Sequence, residues 1–537
     1  MTGRLFAALL VVTLVFRFWL AAAFPITGDE AYFIWWGWKP DWGFYDHPPM
    51  IGWLFAALLT LNDAEWWLRL PAILQPAALA LAVYWALPRL LAGTGSASGR
   101  EESPRPPPTG AKSFLGRAGE RLDGEERRLW AATLVLLAPV NVWNVFITTD
   151  VPLIYFSVFS GLAWIRASRD DGGDGTRGRA WRWYLVAGLL LAGAVLSKYF
   201  AAILGFAYLV DVLRRRQPGA WAGLTIAYAC TLPALALMVW WNSANCWPNY
   251  MFNFVNRHGD AGWSIRTPLL YAVMLVYVLG PPVLWLAWRN RRLTGAEFSL
   301  AALGTLAWLP LLLFAALSLV KQIGLHWVLS FVPFTLIWLA LRLSPVSLRR
   351  LGLFFAGFAT LHIAGILIAS RLPLESWQKT RLYDGIVLSF EHQALARELQ
   401  PYRTDWVLAM DGYSNAVTLG YNLRQYVIVF GEGSSHARHD DLVTDFRTLA
   451  GRNILILRKS APNLDDYRAY FREVSVDSFE IRGARFWRVK GEGFDYPAYR
   501  DGVLAGVRQK YYAVPNWLPQ TACYMCDRYF PGKTCRR

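Results

Sequence analysis

The chain has 537 residues, of which 55% are hydrophobic, 15% aromatic and only 17% charged. That composition excludes an ordinary soluble protein and points to a polytopic membrane protein. A net charge of +16 would suit a nucleic-acid binder, but the basic residues fall in short runs between apolar stretches, as orientation signals do, and nucleic-acid motifs are absent.

In chain order, residues 5–24 read as the first membrane span, preceded by Arg4. A cleaved signal peptide is the competing reading, because Ala21-Ala22-Ala23 has the look of a cleavage site. Residues 25–67 form the first external loop, where Asp29, Glu30, Asp41, Asp46 and His47 alternate with Tyr32, Trp35, Trp36, Trp38, Trp42 and Tyr45. A polar, aromatic stretch between apolar segments belongs at a membrane–water interface, where ionisable groups are expensive unless they serve something. A plain solvated interfacial loop is the alternative. Within it, residues 50–61 are apolar but too short to cross a hydrocarbon core of about 30 Å, so they read as an interfacial or re-entrant helix.

The first return span is 68–91. Residues 92–128, dominated by Gly, Ser, Pro and charges, read as a flexible cytoplasmic loop without a core of its own. Further spans are expected at 129–147, 151–166, 183–197, 199–213, 218–241, 269–289, 298–320, 326–343 and 350–370, giving about eleven in all. Taken as one helix, 183–213 would measure roughly 46 Å, too long for one ordinary crossing; two short spans hinged at Lys198 fit better. Loop charges agree with this parity. The inside loops hold clusters such as Arg127-Arg128, Arg214-Arg215-Arg216 and Arg349-Arg350, whereas the outside loops hold only Lys39, Lys198, Arg257, Arg266, Lys321 and the border residue Arg69. The expected topology has a cytoplasmic N-terminus and an external C-terminus.

Residues 1–370 are thus expected to form a mostly α, polytopic helical bundle, and 371–537 a small external α/β domain. In that tail, 406–410, 426–430 and 454–457 read as buried strands, 412–423 and 438–450 as helices, and 479–489 as a hairpin. Cys523, Cys526 and Cys535 read as a zinc site or, better outside the cytoplasm, as one disulfide with a thiol left over. Cys230 and Cys246 read as core or loop residues.

The expected topology brings Asp29, Glu30, Asp46, His47, Asp150, Lys198, Asn242, Arg257, His258, Lys321 and His326 to the external face. Each has a structural explanation: Asp150 can cap the helix at Val151, and Lys198 can snorkel. Their shared face asks for more. A carboxylate can serve as general base on an acceptor hydroxyl, and Lys, Arg and His can hold a leaving phosphate. Transfer of a sugar from a lipid phosphate needs both.

Gly-Asp-Glu-Ala-Tyr at 28–32, Asp-Trp-Gly-Phe-Tyr-Asp-His-Pro-Pro at 41–49 and Thr-Thr-Asp-Val-Pro-Leu at 148–153 resemble the membrane glycosyltransferases of GT-C fold. The resemblance is to the bacterial branch related to protein O-mannosyltransferases and the lipid A aminoarabinose transferase. Leu-Ser-Lys-Tyr at 196–199 and the Trp241-Asn242…Trp247…Phe254…Arg257 pattern fit that branch too, and the likeness runs to about residue 330. It implies inverting transfer from a polyprenyl-phosphate sugar to an envelope glycolipid such as lipid A or lipopolysaccharide, at the periplasmic face of a bacterial inner membrane. It implies Asp29 as general base, Glu30 as its support and Asp150 as a second, orienting acid. His47, Lys198, Arg257, Lys321 and His326 are the donor-phosphate candidates, and Tyr32, Tyr45, Asp46 and Asn242 the substrate-binding ones. No cofactor is required; a divalent metal, at Asp46, stays open, because Asp46-His47-Pro48 stands where the aminoarabinose transferases carry Glu-Lys-Pro. Partners are the donor, the acceptor and membrane lipid, with no nucleic acid. Protein O-glycosylation is the alternative in the same class. A lipid or solute transporter is the alternative in another class, disfavoured by charges in external loops rather than at midplane.

Overall fold

Long apolar stretches without charged interruptions can satisfy their backbone in lipid only as helices. The computed structural model describes residues 1–91, 112–171, 177–256, 262–290, 301–432 and 439–536, and these divide into two compact units. The first unit (residues 1–23, 69–235 and 261–368) is the helical bundle. Among the described residues, seven helices are long and apolar enough to cross a membrane: Gly3–Ala23, Leu70–Leu87, Asp150–Asp171, Gly178–Ser197, Pro218–Ala244, Ala301–Ser318 and Pro345–Ala369. Trp164, Tyr208, Phe314 and Phe334 are buried in this unit, with the Trp164 and Tyr208 rings stacked at 4.1 Å. Val11, Val12, Val15, Leu232 and Leu361 are more than half exposed, the expectation for side chains that face lipid.

The predicted pair of short spans hinged at Lys198 is present as Arg177–Ser197 and Ala201–Arg215. Other segments differ from expectation. The span expected at 269–289 is broken into Arg266–Leu279 and Pro281–Arg289, bent by 95°. Gly280 between them has φ +79°, and Pro281 and Pro282 cannot continue a helix. The span expected at 129–147 is helical only from Lys112 to Leu136, followed by a short helix Pro139–Trp143 and extended chain. Residues 112–128 are therefore helix rather than loop, a stretch that composition alone reads as a linker. The remaining part of that expected loop, 92–111, lies outside the described residues. The helix inside 326–343 is short, Val332–Arg342.

The second unit comprises residues 24–68, 236–260 and 369–537. Its centre is a five-stranded sheet of order β2-β1-β3-β5-β4, with β1 Trp406–Met410, β2 Ile428–Val429, β3 Asn453–Arg458, β4 Phe471–Ile481 and β5 Ala484–Phe494. β1 runs parallel to β2 and β3, while β5 is antiparallel to both β3 and β4. Alternation sorts the strand residues. Leu408, Met410, Leu455, Leu457 and Phe486 pack with helices Tyr383–Phe390, His392–Leu399 and Tyr413–Leu423. Ala409, Ile454, Ile456 and Val489 pack with Tyr45, Cys246, Trp247, Met251, Phe252 and the 499–535 tail. So the two segments expected to be external, 24–68 and 236–260, belong to one unit with the tail, and the boundary is not a single cut near 370.

The hairpin is longer than 479–489. Its turn is Arg482-Gly483, both with positive φ (51° and 78°), the backbone a two-residue hairpin loop requires. The helix expected at 438–450 is instead Asp440–Val443 and a 3₁₀ turn Phe446–Leu449; Asp445 has extended backbone and accepts a hydrogen bond from the Arg447 N–H, interrupting the helix. Two disulfides, Cys246–Cys523 and Cys526–Cys535, close this unit, so no tail thiol is left over and only Cys230 is free. The fourth cysteine was hidden because it lies 277 residues away in sequence.

Candidate functional site

The site residues fall into two groups, one in each unit. In the second unit, the segment expected to be loop begins with helix Gly28–Trp38. Thr27 is its N-cap. The Thr27 hydroxyl accepts from the Glu30 N–H (3.4 Å), and a Glu30 carboxylate oxygen accepts from the Thr27 N–H (3.0 Å) and the Thr27 hydroxyl (3.0 Å). This reciprocal capping box leaves Glu30 fully buried, while Asp29 beside it is exposed on the first turn, where backbone N–H groups favour negative charge. Gly28 is required by close approach: a Cβ there would lie 2.0 Å from the Ser414 Oγ on helix Tyr413–Leu423.

The same segment continues through an aromatic stack to Asp46 and His47. Trp36 and Phe44 lie parallel at 4.2 Å, and the His47 ring faces Phe33 at 5.9 Å. The Tyr32 hydroxyl donates to an Asp46 carboxylate oxygen at 3.5 Å and accepts from the His439 N–H at 3.0 Å. Burial, with the Asp46 charge adding to it, holds the Tyr32 phenol well above its ordinary range, so it stays a donor. His439 Nδ1 accepts from the Tyr45 N–H at 3.3 Å. Burial, aided by the Lys39 charge, pushes the His439 imidazole down to about 3, so a neutral ring fits this contact. Sequence reasoning missed His439, which belongs to none of the motifs quoted for the resemblance.

Tyr45 and Asn242 serve here as scaffold. Tyr45 is 1% exposed among the rings of Phe252 and Tyr512. The Asn242 amide donates to the Met238 carbonyl and accepts from the Asn249 N–H, and its own carbonyl accepts from the Trp247 N–H, which holds the left-handed turn at Cys246 and Trp247. Asn249 in turn donates to the Phe44 and Tyr45 carbonyls, and Asn253 to that of Asp46. Asn249 and Asn253 thereby brace the acidic segment. Arg257 and His258 lie outside the described residues.

In the first unit, Asp150 opens helix Asp150–Asp171 after the Thr148-Thr149 step. Lys198, at the hinge between Ser197 and Ala201, donates to both Asp150 oxygens at 2.8 and 2.9 Å. The two residues are 8% and 7% exposed, so this is a buried ion pair rather than a snorkelling lysine. Lys198 also lies over the Phe200 ring at 5.6 Å, and that ring packs on Trp327 at 4.4 Å. His326, next to Trp327, is exposed on the short turn Leu325–Val328, and Lys321 is half-buried. Among the described residues, the only cluster of metal-type ligands is Cys523, Cys526 and Cys535, and disulfides engage all three. No such set converges on Asp46 among those residues.

Residues 117–241 match the family described as dolichyl-phosphate-mannose-protein mannosyltransferase. Over 359 residues the chain is 27% identical to the lipid A galacturonosyltransferase RgtD of Rhizobium johnstonii, a match covering 62% of this chain and 64% of that protein. The chain thus spans slightly less than two-thirds of that curated relative. Among solved structures, it is similar to ArnT from Cupriavidus metallidurans bound to undecaprenyl phosphate, with a TM-score of 0.58 and 15% identity over 91% of this chain and 98% of that one. The apo state of the same protein gives a TM-score of 0.57 and 15% identity, covering 90% and 97%. A likeness at that identity is one of fold. With its bundle and its sheet, the chain has the GT-C fold seen in ArnT, and it is similar to membrane glycosyltransferases over the matched residues.

Proposed function

We propose that the protein is a glycosyltransferase that moves a sugar from a polyprenyl-phosphate donor to lipid A or lipopolysaccharide at the periplasmic face of the inner membrane, with inversion. The observation that carries this reading is the start of helix Gly28–Trp38: Glu30 is consumed by the cap, and Asp29 is left exposed on a rigid first turn. Asp29 removes the proton from an acceptor hydroxyl as that oxygen bonds to the anomeric carbon. The carbon–oxygen bond to phosphate breaks on the opposite face, and the electron pair leaves with the polyprenyl phosphate. The role of Glu30 is to fix Asp29, not to exchange protons.

His47, Lys321 and His326, with Arg257, are the candidates to neutralise that phosphate. Lys198 joins them only when its pair with Asp150 opens; closed, the pair orients its turn. The two disulfides support an external location for the second unit, since such bonds persist in oxidising compartments. The solved relative that holds undecaprenyl phosphate supports the donor class, and the relative named for lipid A supports the acceptor. The mannosyltransferase family match keeps protein O-glycosylation as the second reading.

The test is mass spectrometry of envelope glycolipids from cells lacking the protein, with and without the wild-type chain restored. One sugar mass should vanish and return. Unchanged glycolipids would contradict the lipid-acceptor reading, and a sugar missing from envelope glycoproteins instead would select the second.

A further inference from the structure

Arg17 lies in the C-terminal half of the apolar helix Gly3–Ala23, yet it is only 1% exposed. A charge placed there is expensive and calls for a partner. Among the described residues no carboxylate pairs with it. Its guanidinium instead donates to four backbone carbonyls: Nε to Ile73 (3.0 Å), Nη2 to Ala72 (2.6 Å) and Asn144 (2.7 Å), and Nη1 to Asn141.

Three of these carbonyls have local reasons to need a donor. The residue four beyond Ala72 is Pro76, which has no N–H to close the helical bond. Asn141 lies in the last turn of the short helix Pro139–Trp143, and Asn144 begins the extended chain that runs to Asp150. Three more side chains, of which Gln75 and Arg69 are buried, tie the same places together. Gln75 donates to the Val151 carbonyl at 2.8 Å, and the Tyr155 hydroxyl to that of Pro71 at 2.9 Å. Arg69 donates to the Ala21 carbonyl at 2.8 Å and lies over the Phe146 ring at 5.7 Å.

We propose that Arg17 is a positioning residue for Asp150: through the Asn141 and Asn144 carbonyls it fixes the 144–149 segment, and so the depth and direction from which Asp150 meets Lys198. This rests on the proposed glycosyl transfer for its catalytic consequence, but not for its structural one. A planar fork with five donors suits four carbonyls on two chain segments; a lysine reaches fewer of them, and an apolar residue none.

The test uses the full-length protein purified in detergent, as wild type, Arg17→Lys and Arg17→Met. Hydrogen exchange of the peptide covering 141–153 should rise in Arg17→Met and by less in Arg17→Lys, with the β1–β3 peptides unchanged. Transfer is then followed by mass spectrometry on lipid A in membranes of the deletion strain. The turnover should fall by about tenfold or more in Arg17→Met, less in Arg17→Lys, with the acceptor KM unchanged, because a small misplacement of an orienting group acts on kcat. If Arg17→Met does not fold, Arg17→Lys carries both arms. Unchanged exchange at 141–153 overturns the proposal, and so does raised exchange with intact turnover or a change in KM alone. Wild type that adds no sugar would sink the functional reading, while the exchange arm still decides what Arg17 holds.

Discussion

The two candidate site acids, Asp150 and Asp29, are built on opposite principles. In the bundle, Asp150 is buried and already neutralised by Lys198, within a turn held by carbonyl-bound Arg17. In the sheet-containing unit, Asp29 is exposed, and the rigidity around it comes from a capped helix, a stacked aromatic wall and disulfides. The difference follows from the surroundings. In an apolar bundle a lone carboxylate must find a counter-charge, whereas at a wet surface a helix start can hold one open. A buried, paired acid is suited to orient, and an exposed acid on a fixed turn to take a proton.

The largest effect should come from breaking the buried pair by one partner. Lys198→Met leaves Asp150 buried without its cation and should cost about 3–5 kcal/mol, read from detergent-resistant unfolding. The Asp150→Asn, Lys198→Met double variant should recover much of that. A loss below about 1 kcal/mol in the single variant would mean that Asp150 is wetter than its burial suggests. Next comes Cys246→Ser, which opens the staple between the 236–260 segment and the tail. It should lower the stability of the second unit by about 2–4 kcal/mol and expose the tail to protease, leaving the bundle helices resistant.

His439 gives an effect that is smaller over a single pH unit and carries a sign. Its folded-state value of about 3 lies below the ordinary 6.5, so below pH 6.5 the unfolded chain takes up a proton that the folded chain refuses. Stability of the second unit should therefore fall as pH drops from 6.5 toward 3, by about 1.4 kcal/mol per pH unit from this group. His439→Gln should flatten that slope, and an unaltered slope would show that the ring is solvated. Smallest is Glu30→Ala, which removes half of the capping box and should cost about 1 kcal/mol with transfer reduced but present.

Much of this was legible in the sequence. Apolar stretches marked the bundle, and Ser197-Lys198 marked its hinge. Thr27-x-x-Glu30 spells a capping box, a signal that the acidic, aromatic reading of 25–67 passed over. Gly280-Pro281-Pro282 likewise announces a break inside an apolar stretch, and Arg17 stands out in an otherwise uncharged span. Other features had no local signature. The pairing of Cys246 with Cys523, the folding of 24–68 and 236–260 with the tail, and the seat of His439 are contacts between distant segments, which hydrophobic periodicity does not encode.

The measurement that tests the account most directly is the glycolipid mass spectrum of the deletion strain restored with Asp29→Asn or with Glu30→Gln, each at wild-type abundance. Asp29→Asn removes the proposed base and should leave the sugar missing, a loss of roughly 10²–10⁴-fold in rate. Glu30→Gln keeps an oxygen for the cap and should restore most of it. Full restoration by Asp29→Asn would contradict the assignment of the exposed acid as the base.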